Sequence, residues 1–237
     1  MKRIACGFGI LALFIGAKEA RATPVVVGAI RDVTIGDFAN TLPGPASPFT
    51  GVGPFSDNVT ANLGDVDVSA QQSSNIDASA GQFSGNGTAT VGFSVLEFDE
   101  VFAGSHYEVF FDLSSAHAYS LTGTLAASID GGQGIALFLL IGPTPLDFAA
   151  IDFGTVNLAD TGVLAAGFYR LIVSADMGPG PEIDPNSFMG GVATWNFNLE
   201  LEETTTQVPE PVTLSLFALG LAGVGLAARR RTSGRAL

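Results

Sequence analysis

The sequence predicts an all-β protein, an antiparallel sandwich or jelly roll, and three observations carry that expectation. Apolar and polar residues alternate over several short stretches. The chain's 30 glycines and 12 prolines punctuate the intervals between them. No helical period of apolar residues occurs before residue 208. Of the 237 residues 47% are hydrophobic and only 14% charged, a balance that supports a buried core rather than a disordered coil.

The alternation is clearest from Tyr119 to Ile129, where Tyr119, Leu121, Leu125, Ala127 and Ile129 interleave with Ser120, Thr122, Thr124, Ala126 and Ser128. A period of two places one set on a buried face and the other in water. Tyr107, Val109, Phe111 and Leu113 alternate with Glu108 and Asp112 in the same way. Trp195, Phe197, Leu199 and Leu201 alternate with Asn196, Asn198, Glu200 and Glu202. Both stretches read as half-buried strands. Thr90–Phe98 and Phe168–Ala175 are β-rich, whereas Ile135–Ile141 is continuously apolar and reads as a strand covered on both faces. Turn signals group these strands into one domain over residues 23–207. Leu42 to Pro54, with four prolines and three glycines, reads as an excursion loop.

Charge is distributed unevenly. Lys2, Arg3, Lys18 and Arg21 lie at the start and Arg229, Arg230, Arg231 and Arg235 at the end, so residues 23–207 set 14 Asp and 7 Glu against only Arg31 and Arg170, a net charge of −19. Such a surface repels phosphate backbones and lacks the cations that release counterions, which excludes nucleic-acid binding. The one cysteine, Cys6, falls in a segment expected to be removed, so no thiol chemistry is expected of the mature chain. Its place near the start of the apolar stretch, rather than after it, excludes a lipid-modified cysteine.

The two ends read as targeting segments. Met1, Lys2 and Arg3 precede 13 apolar residues, Ile4–Gly16, too few to span a bilayer. Ala20 and Ala22 then flank Arg21 in the A-x-A arrangement of a signal-peptidase site. Residues 1–22 are expected to be cut off after Ala22. At the other end, Val208, Pro209, Glu210 and Pro211 interrupt the chain, because proline lacks an N–H and restricts its predecessor. Residues 212–228 are uncharged and rich in Leu, Ala and Gly. At about 1.5 Å per residue they reach about 26 Å, the minimum for a single transmembrane helix. Arg229, Arg230 and Arg231 would hold its end in the cytoplasm and leave the acidic body outside.

In that order, Val208-Pro209-Glu210-Pro211, the short Leu- and Gly-rich helix and the Arg cluster resemble the PEP-CTERM protein-sorting signal, over about 30 residues at positions 208–237. The resemblance implies recognition by an exosortase, an integral-membrane enzyme with a catalytic cysteine, in a Gram-negative cell that makes exopolysaccharide. It also implies a precursor anchored in the membrane and a product at the cell surface or beyond. Separately, Gly162–Leu171 is similar to a segment of bacterial pre-peptidase C-terminal sandwich domains, which supports the sandwich.

Chemistry-bearing motifs are sparse. His106 and His117 are the only histidines, and Ser105 adjoins the first, so the residue types of a Ser-His-Asp hydrolase are present without its G-x-S-x-G elbow. Both histidines are expected on exposed strand ends or loops near Asp99 and Asp112. Two histidines without a mature cysteine are too few for zinc. Asp65 with Asp67, and Glu97 with Asp99, share strand faces, whereas a glycosidase needs carboxylates across a cleft; they read as solvated. No cofactor is expected. Calcium is the cation the composition leaves open, through loop oxygens of Asp130, Asp184 and Asn186, with no EF-hand spacing and hence no assigned site. Gly223, Gly225 and Ala228 match a relaxed dinucleotide pattern in the wrong context, with no strand before them. Asn58-Val59-Thr60 and Asn86-Gly87-Thr88 have the form of glycosylation sequons.

The leading expectation is therefore a non-enzymatic exported surface or extracellular-matrix protein, associated with exopolysaccharide or biofilm. A carbohydrate-binding module is the alternative and would need an exposed aromatic platform, yet Trp195 falls on an apolar face. A secreted hydrolase comes third.

Overall fold

Every strand pair among the described residues is antiparallel. The computed structural model describes residues 22–37, 50–62, 66–93, 101–130, 133–178 and 190–204. The strands are β1 (Val25–Asp37), β2 (Gly53–Asn62), β3 (Val66–Asp77), β4 (Gln82–Phe93), β5 (Val101–Leu113), β6 (His117–Asp130), β7 (Gln133–Ile141), β8 (Leu146–Ile151), β9 (Phe153–Leu164), β10 (Gly167–Gly178) and β11 (Gly190–Glu203). They form a five-stranded sheet in the order β1-β5-β10-β7-β8 and a six-stranded sheet in the order β2-β3-β4-β11-β6-β9. β2, β3 and β4 form a meander and β7 and β8 a hairpin; the other connections, as from β4 to β5 and from β10 to β11, pass between sheets. The chain divides into two compact units, Met1–Glu203 and Thr204–Leu237, and the sandwich lies in the first.

The core is made where the inner faces meet. The alternating strands read from the sequence bury the residues expected of them: Tyr107, Val109, Phe111 and Leu113 on β5, Leu121, Leu125 and Ala127 on β6, and Trp195, Phe197, Leu199 and Leu201 on β11. Aromatic rings bridge the sheets. Phe83 stacks on Phe111 with centroids 4.9 Å apart, and Tyr107 meets Phe197 edge-on at 5.1 Å, geometries that add to simple area burial. Trp195 is 1% exposed and its indole Nε1 donates to the Ser105 carbonyl across the core at 3.3 Å.

Three expectations are corrected. β7 is covered on one face only: Ala136, Phe138 and Leu140 are buried while Ile135, Leu137 and Leu139 are half-buried and Ile141 exposed. A continuous apolar run cannot reveal that asymmetry, because both faces read alike. Glu108, expected on the wet face of β5, is 5% exposed, with Arg170 donating to its carboxylate from β10 and His106 3.4 Å away. The histidines are not at exposed ends. His106 sits half-buried within β5, and His117 is 1% exposed at the start of β6.

Polar groups also tie the layers together. Arg31, inward on β1, donates to the carbonyl of Gly53 at 2.6 Å and to that of Gly51, with its guanidinium 5.4 Å from the Phe55 ring. It joins the edge strands β1 and β2 along one side of the sandwich. Burial lowers its pKa, and the buried Tyr107 phenol is pushed far above its ordinary value by the same desolvation. Gln72 on β3, with its amide turned as its surroundings require, donates to the carbonyls of His106 and Asp32 in the opposite sheet at 2.9 and 3.0 Å.

Candidate functional site

The two outer faces differ in chemistry. On the five-stranded sheet, outward residues follow rows such as Ile30, Glu108, Ile172, Leu139, Asp147 and Asp32, His106, Ser174, Leu137, Ala149. That face is mixed: apolar residues dominate on β7, whereas Asp32, His106, Glu108 and Ser174 gather on β1, β5 and β10 and Asp147 lies on β8. Burial raises the pKa of Asp32, opposed by His106 and reinforced by Asp176 and Glu108. Desolvation of its carboxyl likewise raises the pKa of Asp176, against a hydrogen bond from Ser174 at 2.7 Å and the nearby His106. Among the described residues these groups do not form a cluster suited to a metal ion.

The outer face of the six-stranded sheet carries no charge across its middle. Four consecutive outward rows can be read from the register. One runs Pro54, Asn75, Ser84, Asn198, Thr122, Ala159, and the next Ser56, Ser73, Asn86, Asn196, Thr124, Asn157. The third runs Asn58, Gln71, Thr88, Thr194, Ala126, Thr155, and the fourth Thr60, Ser69, Thr90, Val192, Ser128, Phe153. Every polar residue among them is Asn, Gln, Ser or Thr. Asp77 and Glu200 bound the window at one end and Asp67 at the other. For a chain of net charge −13, such an uncharged field is a marked local departure.

An open trough of about 560 Å³ crosses this face over β2, β3, β4 and β11. Its walls are the first two of those rows, and its floor follows the row between them, in which Ser74, Gly85 and Phe197 turn inward. The side-chain amides of Asn75, Asn86 and Asn196 make no hydrogen bond among the described residues, and Asn198 donates to Glu200 at 3.0 Å. Each free amide offers a donor and an acceptor side by side.

The residues singled out from the sequence are scattered. Ser105 is fully buried and points inward, so its hydroxyl and the His106 ring lie on opposite faces of β5, as adjacent strand residues must. The Ser-His-Asp arrangement is not assembled there. His117 faces two carbonyls, Ser115 O and Ala22 O, each at 3.0 Å. Asp67 is exposed and accepts from Asn62 at 2.6 Å. Asp65, Glu97, Asp99, Asp184 and Asn186, together with Ala20, residues 212–228 and the tail residues Val208 to Pro211 and Arg229 to Arg231, lie outside the described residues. So does the expected loop, apart from its last residues. The trough was missed in the sequence because its signal is lateral: Asn75, Asn86 and Asn196 become neighbours only through strand pairing.

No curated protein matches this chain. Residues 207–231 match the PEP-CTERM protein-sorting motif, so the chain carries the mark of an exosortase-sorted extracellular protein.

Proposed function

We propose that this protein is a non-enzymatic component of the cell surface or extracellular matrix, exported by its leader, held briefly in the membrane by residues 212–228, released by exosortase processing and associated with exopolysaccharide. The observation that carries this reading is the sorting motif at residues 207–231. The −19 charge of residues 23–207 supports it, since like charge keeps an exposed protein soluble and apart from nucleic acid. Two facts favour binding over catalysis: Ser105 and His106 diverge across β5, and the polar residues across the middle of the six-stranded sheet's outer face are amides and hydroxyls without a perturbed carboxylate. The reading is tested by fusing residues Glu203 to Leu237 to an exported reporter, and by fractionating cells that express the full chain. The fusion should become shorter and leave the membrane only where the exosortase is present, and the full chain should be recovered with the extracellular matrix. A reporter whose size and location ignore the exosortase would reduce the tail to an anchor.

A further inference from the structure

We infer that the trough on the six-stranded sheet is a binding site for a neutral polysaccharide, which lies across the strands and is held by Asn75, Asn86 and Asn196. This assignment rests on the matrix role proposed above and supplies its ligand class. The dimensions suit an extended chain. Strands are about 4.8 Å apart, so β2 to β11 span about 14 Å, and the two walls, two residues apart along each strand, stand about 7 Å apart. The trough is therefore longer than it is wide, as a polymer requires.

The chemistry is equally selective. A sugar ring presents adjacent hydroxyls, each both donor and acceptor. An amide presents the complementary pair on one group, and three amides with no hydrogen-bond partner among the described residues, Asn75, Asn86 and Asn196, line the walls. Asn198, in the wall with Asn75, is turned to Glu200. The absence of any charge in the four rows removes the incentive for an anionic ligand, and the acidic residues at both ends, Asp77, Glu200 and Asp67, repel uronates approaching along the strands. Nucleic acid is excluded for the same reason. A protein partner would need large exposed apolar anchors, and the lining supplies only Pro54 and the half-buried Phe55 at its β2 end, the rest of both walls being Ser and Asn. Trp195 and Phe197 are buried in the core, and Phe55, at the β2 end of the trough, is half-buried against the Arg31 guanidinium, so stacking is limited and each hydrogen bond gained replaces one to water. Binding at one trough is accordingly weak, and retention in a matrix comes from many copies engaging one polymer.

The test is affinity electrophoresis of the full chain in mild detergent, through native gels cast with a neutral β-glucan, a galactomannan, dextran or alginate. At least one neutral polymer should retard the protein, to the same degree at about 10 mM and about 500 mM salt, because no charge is involved. Asn86→Ala with Asn196→Ala should weaken retardation at least about fivefold, and Asn86→Asp, which keeps the size but removes the N–H donor, should weaken it to the same degree at both salt concentrations. Ile151→Asn, on the opposite sheet, should leave it unchanged. Retardation by no neutral polymer, or equal retardation of the trough variants, overturns the assignment. Binding confined to alginate with calcium also overturns it, while leaving the matrix role in place. Loss of the protein from the matrix fraction of cells would instead strike the matrix role, whatever the gels show.

Discussion

Gly87 shows how tightly a single position is fixed. It lies on β4 beneath the Trp195 indole, and a Cβ there would run into the Ser105 hydroxyl and the indole ring together. Neither neighbour can retreat, since Ser105 is fully buried and Trp195 is bonded to the Ser105 carbonyl. Gly87→Ala should therefore destabilise the protein by about 1–3 kcal/mol, the range for overpacking a filled core, measurable as a lower denaturation midpoint. Asp32 offers a test by pH. Burial and the nearby carboxylates raise its pKa above the ordinary 3.8, so the folded chain holds this proton more tightly than the unfolded chain. Stability contributed in this way is complete below 3.8 and is lost as pH rises through the raised value. Asp32→Asn removes that loss. Its melting temperature should exceed that of the parent at about pH 7 and match it at about pH 3. Asp176 shifts in the same direction but is exposed, so its substitution should do less.

At the scale of elements, the side of the sandwich where β1 and β2 lie together depends on Arg31. Its guanidinium serves two carbonyls at the start of β2, a strand whose inward positions are only half-buried. Arg31→Met fills similar space but cannot donate, and hydrogen bonds from a charged group contribute about 1.5–3 kcal/mol each. Amide exchange should accelerate along β2 while β6 and β11 keep their protection. A different dependence holds β5 to β10. Arg170 donates to the nearly buried Glu108 and lies 5.7 Å from the Phe110 ring. Arg170→Met leaves that carboxylate with His106 alone and should cost about 1–3 kcal/mol. Adding Glu108→Gln should recover part of the loss in a double-mutant cycle, because what is costly is the unpaired buried charge.

For the molecule as a whole, the two ends of the sandwich meet. The Ala22 amide donates to Glu203 at 2.8 Å, and the Ala22 carbonyl takes a hydrogen bond from His117 at 3.0 Å. Glu203 also accepts from Ser115 at 3.3 Å. Ala22 is the residue after which the leader is expected to be cut, and a peptidase needs those backbone groups free. Cleavage should therefore precede closure of the fold. Refolded precursor should resist signal peptidase, and Glu203→Ala with His117→Ala should restore cutting after Ala22, read by N-terminal sequencing. Equal cutting of refolded parent and variant would show that Ala22 leaves its partners freely.

The sequence by itself determined the fold class, the strands β5, β6, β10 and β11, and the sorting tail. Each of these is a local signal: a period of two carried by Tyr, Val, Phe and Leu, or a linear order of Pro-Glu-Pro, apolar stretch and arginines. β1 and β3 escaped because their core positions include Arg31, Gln72 and Ser74, whose polarity breaks the alternation although all three are buried. β2 and β9 escaped because, at the sheet edges, their inward sides are only partly covered. Only the tertiary structure decided that Ser105 and His106 part company, that Glu108 is enclosed, and that Asn75, Asn86 and Asn196 share one wall system. The physical reason is that hydrogen-bonded register brings together residues far apart in the chain, and a one-residue change of register would send every one of them to the other face.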